Sequence, residues 1–75
     1  MERYANREGD SNVFAYEIEQ FSIKVQFGDG SIYRYTSQST GAENLEHMKQ
    51  LANAGQGLNS FIGRVVRKGY ASKLR

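Results

Sequence analysis

GDGSIYRY, from Gly28 to Tyr35, decides how this chain folds, because two strand registers can be drawn through it with opposite consequences. Tyr33 and Tyr35 flank Arg34, so in a strand the tyrosines share one face and the arginine takes the other. Upstream, FSIKVQF alternates, with Phe21, Ile23, Val25 and Phe27 on one side and Ser22, Lys24 and Gln26 on the other. A two-residue type I′ turn at Asp29–Gly30 pairs Gly28 with Ser31. Phe27 then lies across from Ile32, and the tyrosines join Lys24 and Gln26 on the polar face, where they form a stacking platform. A three-residue loop, Gly28 to Gly30 with a bulge at Gly30, pairs Phe27 with Ser31 instead. Val25 then faces Tyr33, Ile23 faces Tyr35, and Arg34 joins Lys24 outside. One residue of register inverts the surface.

Three considerations favour the longer loop. Tyrosines bury on the order of 150–250 Å² each, which a small domain needs. The shorter loop sets Arg34 over the core beside Ile23, Val25 and Phe27. The aliphatic helix stripes described below also pack well on rings. On the other side, Asp-Gly is a good type I′ signal, and the longer loop leaves Ile32 outside.

Around this hairpin the chain reads β-β-β-α-α. NVFAYEIE alternates as a first strand, with Phe14, Tyr16 and Ile18 on one face and Val13, Ala15, Glu17 and Glu19 on the other. SIYRYT has the β-branched and aromatic content of a strand. After the polar SQSTGAE, Thr40 and Glu43 have the spacing of a capping box, and Leu45, Met48, Leu51 and Ala52 recur at helical spacing. Gly55 suits the left-handed position that ends this helix. Leu58, Phe61, Ile62, Val65 and Val66 form a second apolar stripe. Gly63 inside it suggests close approach to another element, and Gly69 is expected to end it. The fold expected is α+β: a three-stranded antiparallel meander covered on one face by two C-terminal helices. Residues 1–11 are expected as a flexible N-terminal arm, 12–70 as the single domain and 71–75 as a basic tail.

Length and composition exclude several classes. Seventy-five residues make one small domain. Without cysteine there is no disulfide framework, thiolate metal site or thiol nucleophile. No apolar run approaches the ~20 residues that span a bilayer, and MERYANREGD lacks the apolar segment of a secretory signal, so a cytoplasmic protein is expected. His47, the one histidine, falls off the Leu45/Met48/Leu51 stripe and is expected to face solvent. No metal, cofactor or catalytic constellation is expected, since no acid, base and nucleophile can be placed together.

The net charge of +2 is unevenly spread. RVVRKGYASKLR, from Arg64 onward, carries Arg64, Arg67, Lys68, Lys73 and Arg75 and no acid, while the preceding residues sum to −3. Such a basic end suits phosphate or an acidic protein surface, and equally suits a solvated helix C-terminus. Arg64, Arg67 and Lys68 fall at i, i+3 and i+4, which places them on one face of a regular helix. Lys24 and Arg34 on the open sheet face are a second candidate, beside Glu17 and Glu19, which repel phosphate. The glycines of NAGQGLN serve either a tight helix–helix turn, the favoured reading, or an anion at a helix start. Asn59 is expected to hold that turn by side-chain bonds to the backbone.

Taken in order, Tyr16, the Ile23-x-Val25-x-Phe27 strand, Gly30, the Tyr33-Arg34-Tyr35 centre, Gly55-x-x-x-Asn59-x-x-Ile62 and a basic stretch ending near Tyr70 resemble the KTSC domain. This small bacterial and phage domain occurs alone or at the C-terminus of some lysyl-tRNA synthetases. The likeness runs from about Asn12 to Tyr70. It departs at SQSTGAE, where similar domains enter the first helix through Val-Pro, and at Leu58, where they carry an aromatic. The resemblance implies the same fold and a context near tRNA synthetases, and so a link to RNA. The expected function is a non-enzymatic binding module, for RNA through the basic C-terminal helix, or alternatively for a protein partner or second copy through the open sheet face or edge.

Overall fold

The computed structural model describes residues 1–9 and 11–75. Its centre is the expected meander: β2 (Val13–Glu19), β3 (Ser22–Phe27) and β4 (Ile32–Thr36), joined in antiparallel order. The hairpin adopts the longer loop. Val25 pairs with Tyr33, Lys24 with Arg34 and Ile23 with Tyr35. The Phe27 N–H donates to Ser31 O (2.9 Å), the Gly30 N–H donates to Phe27 O (2.9 Å), and Gly30 takes φ +91°. Asp29 holds this loop by accepting from the Ser31 N–H (3.0 Å) and hydroxyl (2.6 Å). These bonds hold its carboxyl below the ordinary range, the Ser31 hydroxyl first and the Ser31 N–H next. The tyrosines therefore face inward.

Among the described residues the sheet has five strands, not three, because a short strand adds to each edge: β1 (Glu2–Arg3) beside β2 and β5 (Ser72–Lys73) beside β4. The expected N-terminal arm is thus packed in part, and Tyr4 is a core residue at 3% exposure. Asp10, which also falls in that expected arm, lies outside the described residues. The expected C-terminal tail likewise contributes Ser72–Lys73 to the sheet, and beyond them the Leu74 N–H donates to Ile32 O (2.7 Å). A bulge between Val13 and Ala15 breaks the expected alternation of β2. Val13 is consequently buried, while Phe14 is 44% exposed under the guanidinium of Arg3.

Helices cover the inward face of the sheet. The capping box forms one turn earlier than expected, between Thr36 and Ser39, and starts the short α1 (Ser37–Thr40). Helix α2 (Ala42–Ala54) buries Leu45, Met48 and Ala52 on the sheet and ends at Gly55 with φ +74°. The second expected helix divides. Helix α3 (Leu58–Phe61) runs into a π-helical turn over Ile62–Val66, closed by the Arg67 N–H donating to Ile62 O. The wider turn swings Val65 out to 51% exposure while Ile62 and Val66 stay buried. A Cβ placed on Gly63 would meet nothing within 4 Å, so the close approach expected there does not occur. The helix stops at Arg67, with φ +48°, ahead of Gly69.

The N-terminal segment stays packed because it answers the unpaired groups of two helix ends. The Arg7 Nε–H donates to Ala54 O and the Arg7 N–H to Gly55 O, both at 2.8 Å, at the C-terminus of α2. The Tyr4 hydroxyl accepts from the Leu58 N–H (3.2 Å) at the start of α3.

Candidate nucleic-acid interface

The two basic regions marked in the sequence differ in their electrostatics. On the open sheet face, Lys24 lies 3.6 Å from Glu17 and 3.8 Å from Glu19, and Arg34 lies 3.8 Å from Glu19. The Ser22 hydroxyl donates to Glu19 at 2.7 Å. That bond first, then the two cations, hold the Glu19 carboxyl below its ordinary range. Two cations and two carboxylates thus neutralise one another, and Arg34 Nε is buried without a hydrogen-bond partner.

The C-terminal cations are arranged otherwise. Among the described residues, no carboxylate lies within ion-pair distance of Arg64, Arg67, Lys68, Lys73 or Arg75. All five are exposed. The helix face expected to unite Arg64, Arg67 and Lys68 does not form. Arg64 sits in the π turn, and the positive φ of Arg67, which ends the helix, carries Arg67 and Lys68 off it. Lys73 lies in β5 and Arg75 two residues beyond it, and Lys73 Nζ stands 5.7 Å from the centre of the Tyr33 ring.

Between the β3–β4 hairpin and the segment from Ile62 to Tyr70 lies a shallow cleft lined by Phe27, Tyr33, Tyr35, Ile62, Arg67 and Tyr70, with Asp29 at the loop end. Tyr35 is 2% exposed and forms its floor. Burial, and then the neighbouring Tyr33 and Tyr70, push its hydroxyl up to about 12. Tyr33 and Tyr70 are half-buried, with ring centres 4.6 Å apart, and Phe27 meets Tyr33 edge-on at 5.7 Å. Tyr70, marked in the sequence only as the end of the basic stretch, is a residue of this cleft to which the sequence assigns no binding role. A signal is present in RKGYASK, an aromatic set between basic residues, but only the fold brings it to Tyr33.

The remaining sequence candidates are structural in their surroundings. Gly55 ends α2, and Ile62 is buried. Asn59 is half-buried in a polar pocket with Tyr4, Asn6, Ser11 and Gln56, and its side chain makes no hydrogen bond among the described residues. The turn is held instead by Gly55, whose N–H donates to Leu51 O (2.9 Å), and by the Phe61 N–H on Gly57 O (3.0 Å). His47 is exposed and stacks on Phe61 at 4.5 Å. No His, Cys, Asp or Glu group suited to a metal occurs among the described residues, and none of their helices is long and apolar enough to cross a membrane. Compared with protein-family models, curated proteins and solved structures, the chain matches none.

Proposed function

We propose that this chain is a non-enzymatic, KTSC-like RNA-binding module that meets the phosphodiester backbone through the cations of its C-terminal segment. One observation carries the reading: Arg64, Arg67, Lys68, Lys73 and Arg75 are exposed and have no carboxylate partner among the described residues, whereas Lys24 and Arg34 are matched to Glu17 and Glu19. Unpaired cations release counterions from a nucleic acid; paired ones must first break their ion pairs. Titration of tRNA and of unstructured RNA across a salt series tests this. Affinity should fall steeply with salt, and reversing Arg64, Arg67 and Lys68 to glutamate should abolish it. Absence of binding even at low salt overturns the reading.

A second reading, self-association or binding of a protein partner, is favoured by the far end of β2. Strand β1 pairs only as far as Tyr16, so Glu17 to Glu19 have an open edge beside Ile18 and Phe21, which are 38% and 68% exposed. Light scattering of the wild type and of Phe21→Lys separates this reading from the first. A concentration-dependent dimer lost in the variant would support it.

A further inference from the structure

We propose that the cleft between the β3–β4 hairpin and Tyr70 seats one unpaired nucleobase, so that the preferred ligand is single-stranded RNA and not a duplex. This rests on the RNA reading above and names its ligand class. Three half-buried rings, Phe27, Tyr33 and Tyr70, converge there, and Tyr33 and Tyr70 keep their centres 4.6 Å apart at a tilt of 57°. The cleft is open, apolar at its floor and flanked by two cations, Arg67 in its wall and Lys73 against the Tyr33 ring. A nucleotide has the matching chemistry: a flat base for the rings and an anionic phosphate within reach of the cations. Among the described residues Asp29 is the one carboxylate on the cleft, and it is engaged by Ser31 and faces the charge of Lys73. A paired base inside a helix cannot present its face to the rings, so duplex is left with the phosphate contacts alone.

Fluorescence anisotropy should compare a single-stranded oligonucleotide, the duplex of the same length, and a single strand whose central bases are removed while its phosphates remain. The wild type should bind the intact strand about tenfold or more tightly than either control, within the range measured for one stacked base. Tyr33→Leu and Tyr70→Leu keep apolar bulk and remove the ring. Each should cause a similar loss without changing the salt slope, and 2-aminopurine in the strand should be quenched by the wild type only. Equal binding of all three nucleic acids overturns the cleft proposal but leaves phosphate binding standing. No binding of any of them at low salt overturns both. A Tyr33→Leu variant that alters sedimentation and not RNA affinity gives the cleft to a second copy of the chain and overturns the proposal. The base-depleted strand keeps the test decisive if a leucine variant does not fold.

Discussion

A methyl group at Gly55 has nowhere to go. Its Cβ would lie 2.5 Å from the Ala5 Cβ, and the backbone there has φ +74°. The left-handed conformation alone costs an L-residue about 1–2 kcal/mol, and the overlap with Ala5 adds to it. Gly55→Ala should therefore lower stability in urea by about 2 kcal/mol or more, read as a lower midpoint at unchanged slope. Adding Ala5→Gly should restore the steric part and leave the conformational part, a coupling that additive losses would refute. Tyr35 makes a different prediction. Its hydroxyl is raised from the ordinary 10.0 to about 12, so the folded state holds the neutral phenol. A raised group contributes stability that is complete below the unfolded value and fades as pH climbs through the folded one. Stability should thus fall between pH 10 and pH 12, by up to about 3 kcal/mol if this residue titrates alone. In Tyr35→Phe the alkaline limb of the denaturation profile should flatten; an unchanged limb would show that Tyr35 does not drive it.

Among the elements, legibility follows periodicity. β3 and β4 alternate strongly, and the demand to bury Tyr35 and Val25 selects between two turns that local chemistry leaves open. The two edge strands have two residues each and no pattern to read, because their pairing is set by what flanks them: Tyr4 and Arg7 serving helix ends, Tyr70 packed against Tyr33. The same limit hides the π turn. Leu58, Phe61, Ile62, Val65 and Val66 suit a regular helix, and only the wider backbone turn shows that Val65 leaves the core. That turn also disperses the basic face drawn through Arg64, Arg67 and Lys68: the residues are legible in the sequence, their arrangement is not. The turn is testable by contrast. Val65→Lys should change stability by no more than about 0.5 kcal/mol, as exposed positions do. Val66→Ala should cost about 2 kcal/mol in the same thermal or urea melts. Equal losses would return Val65 to the core and the segment to a regular helix.

At the scale of the molecule, charge is sorted by place: acids and bases form ion pairs across the open sheet face, while the cations around the C-terminal edge and cleft have no carboxylate within ion-pair distance among the described residues. That distinction is legible in part, since the net +5 of the last stretch can be counted, but the neutralisation of Lys24 and Arg34 depends on register. Surface pairs of this kind contribute little to stability, about 0–1 kcal/mol, so removing one cation should leave the fold intact and isolate its effect on binding. For single-stranded RNA, each phosphate contact contributes roughly 0.7 to the slope of log affinity against log salt. Arg67→Gln and Lys73→Gln should each flatten that slope by up to this amount, because each frees one contact. Lys24→Gln should leave it unchanged, since the wild-type lysine is already held by Glu17 and Glu19. The measurement discriminates between faces, not merely between charged and uncharged proteins: all three variants lose the same unit of charge, and an indifferent electrostatic attraction would flatten every slope alike. A slope that responds to Arg67 and Lys73 alone ties the RNA backbone to the edge beside the cleft, and one that responds to Lys24 moves it to the sheet.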